Sequence, residues 1–202
     1  DTGPHYSDSF DAGADIIAPW LQSLGVTQLD TLVVSHSHAD HAGGAFGLLS
    51  LLPGSAIYLG EPVPALERDL SPRQRSCHDL GGQGGLSQSW RWAQLQVDLL
   101  SLPGQRGRRG NSASCVVLLR YQNQTVLLPG DLERSLEPAL VTQLAALGVT
   151  RLDVLVAPHH GSKSSSSAQL VAALKPRSVV FSAGFNNRHG HPHEQVLQRY
   201  RE

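Results

Sequence analysis

Leu29-Asp30-Thr31-Leu32-Val33-Val34-Ser35-His36-Ser37-His38-Ala39-Asp40-His41 is the stretch that decides the fold. Its first seven residues form a short apolar run rich in β-branched side chains, which predicts a buried strand. The strand runs directly into three imidazoles and a carboxylate. Chemistry placed just past the C-terminal end of a buried strand is the habit of α/β sheets.

The flanks repeat the pattern. Residues 15–24 put Ile16, Ile17, Trp20, Leu21 and Leu24 on one helical face, and Gly25 follows as a stop. A helix is predicted at 45–52 and a strand at 56–59. A polar stretch at 61–85 then reads as a loop or lid. Alternation at 89–102 predicts a hairpin, and Gly104-Gln105-Arg106-Gly107-Arg108-Arg109-Gly110 an exposed loop. Two apolar runs at 115–121 and 125–128 read as a hairpin closing at Pro129-Gly130-Asp131. A helix at 132–147, a strand at 152–157, a helix at 168–174, a strand at 178–182 and a helix at 193–201 complete an α/β chain.

The 202 residues fit one domain spanning 1–202. The apolar runs fall far short of the ~18 residues that cross a bilayer, so the fragment itself is not expected in a membrane. A net charge of -1 excludes a uniformly basic nucleic-acid binder. The cations are fourteen Arg against two Lys, so any nucleic-acid contact is local. The chain has no Met and opens on Asp1-Thr2-Gly3 with neither an initiator nor a signal pattern, so it is expected to be cut from something longer. Cys77 and Cys115 are too far apart for a CxxC motif, and pairing and free thiols both stay open.

Ten His form clusters, and the clusters follow strands. His36, His38, Asp40 and His41 combine borderline-soft imidazole with hard carboxylate, the donors expected for Zn, Mn or Fe. Asp131 follows a strand closed by Pro-Gly and either bridges two cations or N-caps a helix beginning at Leu132. At Pro158-His159-His160-Gly161, alternation along an extended strand points adjacent side chains to opposite faces. One imidazole is then the ligand, and the sequence does not choose which. One or two divalent ions, Mn or Zn, held by these residues would acidify a bound water for hydrolysis, and the donors do not choose the substrate.

The order of these motifs resembles the metallo-β-lactamase superfamily: the opening Asp-Thr-Gly, the HxHxDH signature at 36–41, Gly130-Asp131 after a strand, and a late His. The stretches 35–44, 128–133, 159–165 and 182–193 are similar, more narrowly, to the C-terminal metallohydrolase domain of ComEC-type competence proteins. That resemblance implies an αββα sandwich lacking its first strands, belonging to a longer inner-membrane protein. The soluble domain would lie on the periplasmic or extracellular side. It implies a nuclease that degrades the non-transported DNA strand during natural transformation, with single-stranded DNA and the parent's own membrane channel as partners. His36 and His38 would serve one metal, Asp40 and His41 the second, with Asp131 bridging and His159 or His160 completing the second site. One departure is visible: a mid-chain His of many members is replaced by Asn111-Ser112-Ala113-Ser114-Cys115, and His78 lies too early to substitute. Asn111, Ser114 or water would fill that place.

Within such a site Asp40 is the candidate to orient or deprotonate the attacking water, and His191 the candidate general acid. Ser162, Lys163, Ser164 and Ser165 are candidates for phosphate, chiefly if they open the next helix, with a capping turn as the alternative. Asn187 and Arg188 are further phosphate candidates. Arg106, Arg108 and Arg109 are candidates to track a DNA backbone, or they form a solvated loop. A lactonase or phosphocholine esterase, or a DNA-binding domain without turnover, are the rival readings, because the core motif sets the metal and not the substrate.

Overall fold

Each predicted strand that leads into a His or Asp cluster is present. The computed structural model describes residues 1–66, 73–79 and 86–202. The chain divides into two compact units, Asp1–Cys77 and His78–Glu202.

In the first unit a hairpin of β1 (His5–Ser7) and β2 (Phe10–Asp11) precedes a π-helical turn, Gly13–Ile17, and α1 (Ala18–Ser23). Pro19 sits in the first turn of α1, where its missing N–H is not needed. The helical face expected at 15–24 is split. Ile17 and Leu21 pack on the core, while Ile16, Trp20 and Leu24 are 51%, 61% and 63% exposed. The i, i+4, i+8 ridge of Ile16, Trp20 and Leu24 lies beside the ridge of Ile17 and Leu21, and only one faces inward.

β3 (Leu29–Val34), β4 (Gly54–Leu59) and β5 (Gln74–Ser76) form a parallel sheet in that order. Leu32, Val34, Ile57 and Leu59 pack against Leu48, Leu49 and Leu52 of α3 (Ala45–Leu51) and its C-cap. β5 lies inside the stretch expected to be a loop or lid. Gln-Arg-Ser has no apolar alternation to reveal it, and only pairing with β4 makes it a strand. The rest of that expectation falls partly on 67–72 and 80–85, outside the described residues.

The second unit is one six-stranded sheet ordered β11-β10-β9-β8-β7-β6. β6 (Leu86–Trp92), β7 (Leu95–Leu100), β8 (Val116–Tyr121) and β9 (Gln124–Leu128) form an antiparallel meander. β10 (Val154–Val156) and β11 (Ser178–Val180) then run parallel to β9. Leu118, Leu127 and Leu155 share a cross-strand row and are buried with Leu140 and Leu144 of α4 (Glu137–Ala146) and Leu170 and Leu174 of α5 (Ala168–Leu174). Tyr200 of α6 (Glu194–Arg201) packs against the same cluster. Because β9, β10 and β11 are parallel, the chain leaves all three on one edge of the sheet.

Two boundaries differ from expectation. The helix expected from Leu132 opens as a 3-10 turn, Arg134–Leu136, and becomes α-helical only at Glu137, with Pro138 in its first turn. Asp131 therefore does not N-cap it. Among the described residues no helix is long and apolar enough to cross a membrane. Neither cysteine is free, and both are in disulfide linkage.

Candidate metal-binding clusters

β3 delivers Ser35 and His36, both buried, and the short helix α2 (Ala39–Ala42) carries Asp40 and His41. The His36 ring centroid stands 4.4 Å from that of His38 and 4.2 Å from that of His41. Asp1 and Ser35 orient these rings. The Asp1 carboxylate accepts from the Ser35 amide at 2.6 Å and contacts the Ser35 hydroxyl at 3.0 Å and His41 Nδ1 at 2.9 Å. Ser35 Oγ lies 3.1 Å from His36 Nδ1. A carboxylate accepts only, so His41 donates from Nδ1 and the Ser35 hydroxyl donates to Asp1. Ser35 is then left to accept from His36 Nδ1–H. Both imidazoles thus carry their lone pair on Nε2, the tautomer a metal ligand needs, set by the carboxylate–histidine pairing that orients such ligands.

Other residues hold the loop. Glu61, 6% exposed, accepts from the amide and hydroxyl of Ser37, between His36 and His38. The Thr2 amide and hydroxyl both donate to the His41 carbonyl. A Cβ at Gly44 would stand 2.5 Å from the Thr2 carbonyl and 2.4 Å from the Gly13 amide nitrogen, so glycine lets the opening segment lie against the motif. His38 and Asp40 are exposed, and Asp40 Oδ2 is 3.7 Å from His41 Nε2.

In the second unit Asp131 is buried after Gly130 (φ 57°), and its amide donates to the buried Ser114 hydroxyl. His159 and His160 are both left-handed, with φ of 51° and 55°, and Gly161 follows at 83°. This corrects the expectation that one of the pair points away, since the chain turns here and is not extended. His159 Nε2 and His160 Nε2 lie 3.6 and 3.4 Å from the Asp131 carboxylate oxygens. Each imidazole thus faces its own oxygen of the one carboxylate, His159 toward Oδ2 and His160 toward Oδ1. The Ser182 carbonyl accepts from His160 Nδ1 at 2.7 Å, which again puts the lone pair on Nε2. Left-handed backbone at two consecutive non-glycine residues is strain of the kind that collects at functional sites.

Asn111 Nδ2 reaches the His159 ring at 3.4 Å. His78 is buried, with Nε2 2.8 Å from the Ala113 carbonyl beneath that turn. His191 is 6.0 Å from His159, ring to ring, and stacks on His189 at 5.7 Å. Its pKa is lowered by burial first, then by His159, His189 and His160.

The phosphate candidates separate. Ser165 is buried and donates to the Pro158 and Ser162 carbonyls, and Ser162 is 7% exposed with its hydroxyl on Ser164. Lys163 and Ser164 remain exposed, and Ser164 Oγ is 3.2 Å from His159 Nδ1. None of the four opens a helix, because α5 starts at Ala168 with Ser167 as its N-cap. Asn187 is a correction as well. Its amide donates to the Gly184 and His191 carbonyls and accepts from the His189 and His191 amides, bracing the turn that carries His191. Arg188 is exposed beside His189. Arg106, Arg108 and Arg109 are exposed on a loop anchored by the buried Gln105, which donates to the Ser114 carbonyl. Gln105 and Ser114 join that loop to Asp131 itself, a role that only tertiary contacts reveal.

Comparison with known proteins shows the family of the chain. A model of the metallo-beta-lactamase superfamily matches residues 1–184. Competence protein ComA of Neisseria gonorrhoeae is 33% identical over 92% of the chain, and recombination protein 2 of Haemophilus influenzae 32% over 98%. ComE operon protein 3 of Bacillus subtilis is 29% identical over 94%. The chain spans about a quarter of each relative's length, 24%, 23% and 24%. Among solved structures, the diiron β-hydroxylase CmlA of Streptomyces venezuelae aligns with a TM-score of 0.53 at 16% identity, over 85% of this chain and 40% of its own. A putative metal-dependent hydrolase of Parabacteroides distasonis gives 0.50 at 12%, over 85% and 72%. These likenesses speak for the fold alone. With its mixed α/β fold and the match of residues 1–184 to that family's model, the chain belongs to the metallo-β-lactamase superfamily.

Proposed function

We propose that this chain is the metal-dependent nuclease domain of a DNA-uptake protein, hydrolysing phosphodiester bonds of the strand that is not transported. The observation that carries the reading is the fixed tautomer of His36, His41 and His160, each with Nδ1 committed and Nε2 presented. It occurs in a superfamily member whose relatives are named for competence and recombination. In the family's pattern His36, His38, Asp40 and His41 from one unit and Asp131, His159 and His160 from the other are the ligand sets. Divalent ions, Mn or Zn, supply there an acidified water and neutralisation of phosphoryl charge.

The chain's own residues do the rest. Asp40, exposed, takes the proton of the attacking water. Asp1 and Ser35 hold the imidazoles so that little reorganisation accompanies reaction. Lys163 and Ser164 face solvent past His159–His160 and bind a phosphate oxygen, and Arg106, Arg108, Arg109 and Arg188 add salt-dependent contacts to the single strand. The parent chain supplies the membrane channel as partner. The disulfide-bonded cysteines suit the oxidising, non-cytoplasmic side of that membrane.

The test is cleavage of end-labelled single-stranded DNA with Mn or Zn, beside small phosphodiesters and lactones. His38→Ala and Asp131→Ala should each reduce cleavage by about 100-fold or more, the scale of a lost transition-state contact. Turnover of a lactone in preference to DNA, or full activity in His38→Ala, sinks the reading.

A further inference from the structure

The first unit contains a cavity of about 920 Å³ whose wall includes Ser37 and Ala39 of the HxHxDH motif. That volume lies in the ~300–1,000 Å³ range of small-ligand sites. It opens at the C-terminal ends of the parallel β3 and β4, the end where α/β sheets bind ligands. Its floor is apolar and includes Phe46, 50% exposed on α3, and Val63. Its rim carries the imidazole of His5 and the carboxylates of Asp8 and Asp11. His5 and Asp11 are paired across the β1–β2 hairpin and so project to the same side.

We propose that this cavity is a nucleobase subsite for a single-stranded substrate, with a preference for bases that carry an exocyclic amine. The identity of the occupant as a DNA base rests on the nuclease reading above. Two carboxylates repel phosphate, so the backbone stays outside and a neutral ring enters. A ring stacks on Phe46 and on the His5 imidazole, the sequence-tolerant grip by which proteins hold single strands. Asp11 is already committed, accepting from the Ala14 amide, whereas Asp8 is exposed on the hairpin turn. Asp8 therefore accepts from the amino group of cytosine, adenine or guanine, which thymine lacks.

The experiment measures binding of the 202-residue chain to fluorescein-labelled octamers of dA, dC and dT and to an abasic octamer of equal charge, in EDTA so that no strand is cut. The dA and dC strands should bind about tenfold more tightly than the abasic strand, with dT between them. Phe46→Ala should remove most of that advantage, and Asp8→Ala, which removes the acceptor, should bring dA and dC to the level of dT. Equal affinity for abasic and base-bearing strands overturns the subsite, as does an undiminished base preference in Phe46→Ala. Metal-dependent cleavage without base preference overturns the subsite alone. Base preference without cleavage under any metal overturns the nuclease reading and leaves the subsite standing.

Discussion

Ser35 shows why a motif is more than its ligands. His36, His38, Asp40 and His41 are legible in the sequence because residue type alone marks them as metal donors. Ser35 and Asp1 are not, because their task is to hold the Nδ1 atoms of two rings, and that depends on thirty-odd residues of chain bringing Asp1 to the end of β3. Removing such an orienting partner typically costs 10–100-fold in metal affinity. Ser35→Ala is expected to weaken Zn or Mn binding by about tenfold in a chelator competition, while the circular dichroism spectrum is unchanged. An unaltered affinity would mean that the Ser35 contact does not set the His36 tautomer. The same logic explains the His159–His160 correction. Alternation holds only while the chain is extended, and two left-handed residues before Gly161 turn both Nε2 atoms to Asp131. A Cβ at Gly161 would stand 2.8 Å from Phe181 and from Pro192, so the turn tolerates no other residue there without movement.

Among the elements, those with a strong apolar period were readable and those defined by pairing were not. β3, β4, α3 and the β8–β9 hairpin fall within a residue or two of expectation. β5 carries no period at all, and the start of α4 is displaced by a 3-10 turn that leaves Asp131 outside any helix. α6 was readable as a helix, but not its attachment. Tyr200 packs on the sheet's core cluster and donates to the Ser166 hydroxyl at 3.0 Å, while Arg199 donates to the Ser166 carbonyl at 3.0 Å. Burial pushes the Tyr200 phenol from its ordinary value of 10.0 up to about 12. The unfolded chain then releases the proton at lower pH than the folded one. The neutral phenol's contribution is therefore fully present below pH ~10 and is lost as pH rises from ~10 through ~12, about 2–3 kcal/mol in all. Urea unfolding from pH 8 to 11.5 should show this decline in the wild type. Tyr200→Phe should be about 0.5–1.5 kcal/mol less stable at pH 8 for want of the hydrogen bond. It should draw level with or pass the wild type above pH 11. An identical alkaline decline in Tyr200→Phe would place its source elsewhere.

At the scale of the whole molecule, the chain has two units with their own cores, and each carries its own set of candidate metal donors. Leu48, Leu49, Ile57 and their neighbours fill one core, and Leu118, Leu127, Leu140 and Leu155 the other. The donors sit where strands end, and buried imidazoles and a buried carboxylate exact a desolvation cost that a cation offsets. Metal bound by the folded chain and not by the unfolded one stabilises it by mass action, about 2.7 kcal/mol at a free concentration 100 times Kd. For a chain of this size that corresponds to roughly 5–10 °C in Tm. Prolonged EDTA treatment under non-reducing conditions is expected to lower Tm by that amount, and Mn or Zn added back should restore it. His38→Ala and Asp131→Ala should each blunt the restoration, because each removes a donor from a different unit. If EDTA left Tm unmoved while metal analysis showed the ions gone, the imidazole and carboxylate clusters would be stable without a cation. Their tautomers would then be fixed by Asp1, Ser35 and Ser182 alone.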